Sequence, residues 1–410
     1  MKAIARHLLR KKFSDIAQHS SLCFSVEFAD GSVFTSIESE PSLTLTYKTI
    51  KAEWRCVLFG HVGLLEAYFD DELGIEGDLG HAVSISFESG FSDQAPFPVM
   101  IRNKWHEFKL GNRTIEKARI NARFHYGLGA AFYQKWLDLP HMMYTCAYWK
   151  PGTENIEQAQ INKIEHVCRK VRLEPGERVL DIGCGFGGFM FYAQEKYGVT
   201  VRGTNTTTEQ VEWLSEQIKR KNAGHALEVV EADFREDMGQ YDKVISIGVL
   251  EHAGRDQLKE VVKAHANALK PGGLGMLHFI GHVGVRSTEF YIRKYIFPGG
   301  WIPSLSETLA EMEACGLEIL DVENLRRNYA LTLDAWTERF DANWEEINKL
   351  DPVRFDDRFR RIWRTYLVSC AEMFRSPHGT TYLFQILYSK GNVNQENFPM
   401  SRRYIYQQET

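Results

Sequence analysis

An apolar strand that ends in an acid and then in closely spaced glycines, Arg178-Val-Leu-Asp-Ile-Gly-Cys-Gly-Phe-Gly-Gly188, restricts this chain to few folds. Glycines at 183, 185, 187 and 188 tolerate positive φ and let the backbone come close to a bound molecule where a Cβ would intrude. A strand, a glycine turn and a following helix make the mononucleotide unit of a Rossmann-type sheet, with its ligand at the carboxyl ends of the strands. The dinucleotide fingerprint puts two residues between its second and third glycines. Here a single residue separates Gly183, Gly185 and Gly187, which is a different pattern.

The flanking sequence supplies the rest of such a sheet. Segments 199–203, 227–232, 241–248 and 274–280 read as strands, and 209–222 and 255–269 as helices, the latter stopped by Lys270-Pro-Gly-Gly273. A helical pattern over 155–171 leads to the breaker Leu173-Glu-Pro-Gly-Glu just before the glycine motif. This alternation predicts an α/β fold with a parallel, doubly wound sheet. From 23 to 99 the period is shorter and turns are frequent. Phe24-Ser-Val-Glu-Phe, Leu43-Thr-Leu-Thr-Tyr47 and Val83-Ser-Ile-Ser-Phe87 alternate as half-buried strands, and 63–79 reads as a helix that turns at its glycines. A smaller α+β amino-terminal domain over 1–102 is therefore expected. A charged helical connector follows over 103–123, then a catalytic domain over 124–391 and a tail over 392–410. The stretch 281–388 is richer in helix and aromatics than a bare Rossmann unit needs, including a long helical stretch from 332 to 374. Its apolar surface suits either an acyl-chain pocket or a plain helical layer.

Composition narrows the setting. At 410 residues the chain is long enough for two domains, and no apolar run reaches the ~18 residues of a spanning helix. The amino terminus lacks a long apolar stretch and a small-residue cleavage site, and seven cysteines without framework spacing suggest a reducing cytosol. No Cys-x-x-Cys pair points to structural zinc, and no metal is expected. A net charge of −5 argues against a nucleic-acid binder. The first twelve residues carry five Lys or Arg and no acid, which fits either an anionic membrane surface or a solvated terminal helix.

Position along the predicted sheet selects candidate site residues. Thr204 and Gln210 follow the second strand, where ribose hydroxyls are bound, although 206–208 also reads as a threonine-rich helix cap. Asp233 follows the third strand and could accept from an adenine amino group while Phe234 packs on the ring. Glu251 and His252 end the fourth strand and His278 the fifth, so titratable groups converge at one cleft, as proton transfer requires. Cys146 has no activating histidine nearby in sequence, and a buried structural thiol is the reading its spacing supports.

Taken together, these motifs carry a family resemblance. Asp-x-Gly-x-Gly-x-Gly resembles motif I of class I S-adenosylmethionine (SAM)-dependent methyltransferases, which implies that the turn with Asp181, Gly183, Gly185 and Gly187 receives the methionine end of SAM. More specifically, the chain resembles cyclopropane-fatty-acyl-phospholipid synthases and mycolic acid cyclopropane synthases. The resemblance runs through Tyr144-Thr-Cys-Ala-Tyr-Trp149, Leu250-Glu-His-Ala-Gly254, Leu277-His-Phe-Ile-Gly281, Lys294-Tyr-Ile-Phe-Pro-Gly299 and Asn328-Tyr-Ala-Leu-Thr-Leu-Asp-Ala-Trp-Thr-Glu-Arg-Phe340. It implies methylene transfer from SAM to the double bond of unsaturated phospholipid acyl chains, through a carbocation deprotonated by bound bicarbonate. The bicarbonate would be held by Cys146, Glu251, His278 and Tyr329 and by the backbone at Ile280, with Tyr144 on SAM. The resemblance further implies a homodimer in the cytoplasm, peripheral to the inner face of the cell membrane. Family members usually carry acidic and Asn-type residues where this chain has Gly127, Ala130 and Ala131 in His125-Tyr-Gly-Leu-Gly-Ala-Ala131. That difference keeps two alternatives open: a same-family enzyme giving methyl-branched or methylene products, and a non-catalytic lipid- or SAM-binding protein.

Overall fold

Strand periodicity is plainest in Leu43–Tyr47, where Leu43, Leu45 and Tyr47 are buried and the two threonines between them are half-buried. The computed structural model describes residues 2–37, 39–91 and 96–406, so Met1 and the last four residues of the expected tail lie outside the described residues. The chain divides into two compact units that interleave in sequence. One comprises Met1–Lys109, Glu289–Ile296 and Phe340–Gly379, the other Leu110–Thr288, Phe297–Arg339 and Thr380–Thr410. A linear partition at 102, 124 and 391 differs from this, because 289–296 and 340–379 pack with the amino-terminal residues.

The first unit holds strands β1 (Phe24–Glu27), β2 (Val33–Thr35), β3 (Leu43–Tyr47) and β4 (Leu73–Gly77) in the order β2-β1-β3-β4. The basic amino terminus is the helix Lys2–Ala17, which buries Ala5, Leu9, Phe13 and Ile16. Arg6 pairs with Asp30 and Glu53. One face of the terminal helix is thus packed, while Ile4 and Leu8 on another face stay exposed. Two local expectations are corrected. Residues 83–87 lie within the helix Leu79–Glu88, because the Asp78 carboxylate accepts the Gly80 N–H and starts a helix that so short an alternation cannot resist. The glycines after 70 do not simply turn, since Leu73–Gly77 pairs with β3 as β4. The long helical stretch from 332 is three helices, Arg326–Ala342, Trp344–Leu350 and Asp357–Arg375.

The second unit is built on a seven-stranded sheet. Its strands are β5 (Arg178–Ile182), β6 (Thr200–Asn205), β7 (Leu227–Glu231), β8 (Tyr241–Ile247), β9 (Leu269–His282), β10 (Leu317–Asn324) and β11 (Thr381–Lys390), in the order β10-β11-β9-β8-β5-β6-β7. The strands from β5 to β9 are parallel, and β11 runs antiparallel between β9 and β10. Both faces are covered, so β5 is buried from Val179 to Ile182, and its side chains alternate between layers. Val179 joins Ile164, Phe189 and Leu214 on one side, while Leu180 and Ile182 join Val244, Val261 and Phe279 on the other. This sandwich fixes where the carboxyl ends of β5, β6, β8 and β9 emerge.

Candidate active site

At the carboxyl ends of β5, β6 and β8 the second unit opens a cleft. Of the residues expected to contact a cofactor, Tyr144, Asp181, Gly183, Gly185, Thr204, Gln210 and Phe234 line it. The glycines do different work. A Cβ on Gly183 would strike the Val249 side chain and one on Gly187 the Leu214 side chain, so these two serve packing of the turn. Gly185, at φ 54°, has open space where its Cβ would be and leaves room for a ligand against the backbone.

The opposite wall is made of neutral hydrogen-bonding groups. Asn205 Nδ2 donates to Gln210 Oε1 at 2.9 Å, and Asn205 Oδ1 accepts the Thr207 N–H at 3.0 Å. Asn205 therefore orients Gln210 and the entry to the helix Thr208–Arg220. Thr207 gives no side-chain cap to that helix, and its buried hydroxyl has no partner among the described residues. A buried unpaired hydroxyl on a cleft wall is costly unless a ligand meets it. Asp233 stands behind the wall, with Arg235 Nε on one carboxylate oxygen at 2.6 Å and Nη2 on the other at 2.8 Å. This fork engages both oxygens and braces the turn that presents Phe234, and the cleft is lined by Phe234 and Ala232 on either side of Asp233. Asn205, Thr207 and Tyr126 were not singled out from sequence.

Aromatic rings close one end. Tyr144 stacks on His125 with centroids 5.5 Å apart and packs against Tyr133, Trp136 and Trp336 at 5.5, 5.1 and 5.2 Å. Burial pushes His252 down to about 4, and its neutral ring shares a hydrogen bond with the Tyr126 hydroxyl through Nε2, 2.8 Å away. The helix Ile115–Tyr126 stops at Gly127, where a Cβ would run into the Arg123 carbonyl. The unusual 127–131 segment is thus accommodated by a local backbone that an acidic residue at 127 would disturb.

A second group of predicted residues lies outside the cleft lining. Glu251, on the short helix Leu250–Ala253, accepts the Ile280 N–H through Oε1 at 2.6 Å. That bond uses the N–H of Ile280 internally. Glu251 Oε2 is buried without a partner among the described residues, and burial pushes the carboxyl up to about 7 against the opposing pull of the Ile280 N–H. His278 lies opposite Gln385 in the β9–β11 register, and Gln385 Nε2 donates to its Nδ1 at 3.1 Å. An amide nitrogen can only donate, so the neutral ring carries its proton on Nε2. That atom is also buried without a partner, and burial, with Lys163 next, holds the ring well below the ordinary histidine range. Cys146 is fully buried, its thiol pushed up chiefly by burial. Tyr329 is buried edge-on to Trp336 at 6.1 Å. Glu251 and His278 therefore offer an orphaned acceptor and an orphaned donor at neighbouring strand ends.

Two further residues tie the segment carrying Tyr144 and Cys146 to the sheet. Gln160 Nε2 donates to the carbonyls of Met143 and Thr145 at 3.1 and 2.8 Å. Lys163, fully buried, donates to Thr145 Oγ1 at 2.8 Å. Burial lowers the Lys163 pKa, while Asp138, Cys146 and Asp181 oppose it. The same burial pushes Asp181 up to about 7, with Lys163 opposing. A signal existed in sequence, since Gln160 and Lys163 are polar residues on the stripe that buries Ile156, Ala159, Ile164 and Val167.

The chain is similar to several known proteins. A family model described as mycolic acid cyclopropane synthetase matches residues 113–386. A probable fatty acid methyltransferase of Pseudomonas putida is 33% identical over 352 residues, which is 83% of this chain and 85% of the relative. The cyclopropane-fatty-acyl-phospholipid synthase of Escherichia coli is 34% identical over 337 residues, covering 82% and 85%. A solved mycolic acid cyclopropane synthase complexed with SAH and CTAB matches with a TM-score of 0.61 at 29% identity, over 66% of this chain and 98% of that one.

Proposed function

Because the chain belongs to the mycolic acid cyclopropane synthetase family and is a SAM-dependent methyltransferase, we propose that it converts the double bonds of unsaturated phospholipid acyl chains into cyclopropane rings. Bound SAM supplies an electrophilic methyl group. The cleft suits it: Gly185 leaves backbone-close space, the Thr207 hydroxyl lacks a partner, and Gln210 and Phe234 line the wall. Asp181, Thr204 and Tyr144 complete the proposed contacts. An alkene is a weak nucleophile, so the aromatic enclosure around Tyr144 has to orient the acyl chain and keep water from the resulting cation.

The observation that carries ring closure is the pair of buried orphaned atoms, Glu251 Oε2 and His278 Nε2. A leftover acceptor and a leftover donor on elements that follow successive strands suit a bicarbonate ion, which has one O–H and charged oxygens. Bicarbonate would supply a base for the proton lost from the added methyl. Glu251 and His278 would hold it, with Cys146 and Tyr329 alongside, while Ile280 acts through its bond to Glu251. Lys163 and Gln160 keep the 143–146 segment in register with this group.

No helix among the described residues is long and apolar enough to cross a membrane, so the proposed access to lipid is peripheral, at the inner face of the cell membrane. The test is purified protein with methyl-labelled SAM, bicarbonate and vesicles of monounsaturated phospholipid, read by mass spectrometry of the acyl chains. The expected product is a labelled gain of CH2 with ring-type fragmentation. Gly127, Ala130 and Ala131, together with the relative named as a fatty acid methyltransferase, favour a second reading, methyl or methylene addition. Methylene- or methyl-type fragments would establish that reading instead. Absence of any labelled lipid despite SAM binding would leave a non-catalytic protein.

A further inference from the structure

The helix Phe97–Leu110 of the first unit has its polarity reversed. Its inward side carries Val99, Arg102, Asn103 and His106, all buried or half-buried. Arg102 donates to Glu66 at 2.8 Å and its guanidinium lies 4.9 Å from the Phe290 ring centroid. Arg293 donates to the Asn103 carbonyl at 3.0 Å, and Val99 packs with Val62 and Phe290. Glu66 is a firm anchor: although burial opposes it, Lys294 and Arg102 hold its carboxyl down at about 2. A surface helix ordinarily turns its apolar stripe to the core. In this one the polar residues are used for fastening, and the apolar ones face outward.

Phe97, Ile101 and Trp105 follow at four-residue intervals and so share one face, with exposures of 74%, 53% and 60%. Met100 and Phe108 widen that face, at 48% and 69%. Contiguous apolar exposure of this kind marks an interaction site. Its charges identify the partner. Lys104 stands exposed between Ile101 and Phe108, and the Lys109 ammonium lies 4.9 Å over the Trp105 ring. The acid on this side, Glu107, is paired with Arg293 at 3.4 Å. In a two-fold contact between copies, Lys104 would be pressed into an apolar patch where the described residues of the helix offer no carboxylate but the already paired Glu107. On a bilayer its stem follows the acyl boundary and its ammonium reaches lipid phosphates, while an indole sits well at the headgroup level.

We propose that this outward face of Phe97–Leu110 docks the protein on an anionic phospholipid bilayer, inserting Phe97, Ile101 and Trp105 at the acyl boundary with Lys104 and Lys109 on the phosphates. The proposal rests on the phospholipid reading of the substrate, and its test is separable from that reading because vesicle binding is measured without SAM. Full-length protein is sedimented with vesicles of monounsaturated phosphatidylethanolamine and phosphatidylglycerol. Ile101→Ser with Trp105→Ser is expected to lower vesicle affinity by about tenfold or more, since two large apolar side chains no longer enter the acyl boundary. Turnover of detergent-dispersed lipid should stay within about twofold, as neither residue touches the cleft. Lys104→Glu, which leaves the apolar face intact, should weaken binding to phosphatidylglycerol vesicles and leave binding to neutral ones unchanged. Unchanged vesicle affinity in both variants would overturn the proposal. So would dissociation of a wild-type dimer into monomers in the double variant, because the face would then be a subunit interface. If the variants behave as expected but no ring product forms in the turnover test, the docking surface stands and the catalytic reading fails.

Discussion

The cleft and the buried polar pair at the strand ends solve different problems in one sheet. The cleft wall is nearly charge-free: Asn205, Gln210 and Thr207 are arranged by one another, and Gly185 contributes by lacking a side chain. Beyond the lining, Glu251 and His278 are ionisable groups taken out of water, each with one atom satisfied and one left over. A neutral, pre-arranged wall binds at small cost to the folded state. A buried ionisable pair costs stability until a complementary ion arrives, and is retained where charge has to be handled. On the proposed reading the first region holds SAM and the second handles the proton.

That division can be broken by substitutions that should act on one region alone. Glu251→Gln is expected to have the largest effect, a loss of about a thousandfold or more in turnover, with SAM affinity by calorimetry within about twofold of wild type. A collapse of SAM binding in this variant would erase the distinction. Gly185→Val should do the reverse, lowering SAM affinity by about ten- to a hundredfold, because a branched side chain fills the open space and strains a positive φ. Lys163→Met bridges the regions. Losing the bond to Thr145 should loosen the Tyr144 segment and reduce both SAM affinity and turnover by roughly tenfold, measured by calorimetry and single-turnover kinetics.

A smaller effect comes from pH. The Glu251 carboxyl is raised from 4.5 to about 7 in the fold, so its contribution to stability is fully present below 4.5 and is lost as pH rises through 7. Thermal denaturation of wild type and Glu251→Gln should therefore converge near pH 4.5. Above pH 7 the variant should gain on wild type by a few degrees. A gap independent of pH would mean that Glu251 does not titrate in this range.

Legibility in the sequence followed the same boundary. The strands β5, β6, β7 and β8 and the turn at 183–188 were readable because glycine spacing and continuous apolar runs are local signals. Glu251 and His278 were found from their places at strand ends. Their partners were not, since Gln385 reaches His278 from β11, 107 residues further along the chain, and no local pattern signals that pairing. The occupied N–H of Ile280 is likewise invisible until β9 and the helix after β8 meet. The pairing of Asp233 with Arg235 two residues on was also not read from its place after the third strand. In the first unit, 83–87 alternates like a strand, but the cap at Asp78 and the burial of Leu79 and Ile85 made it a helix.

The most direct test of the division between binding and proton handling is the turnover of labelled SAM on monounsaturated vesicles in buffer stripped of bicarbonate and then resupplied, for wild type and Glu251→Gln. The account predicts that wild type slows by about tenfold or more when stripped and recovers on resupply, while the variant stays inactive in both at unchanged SAM occupancy. A wild-type rate indifferent to bicarbonate, or a Glu251→Gln variant that still closes rings, would contradict it.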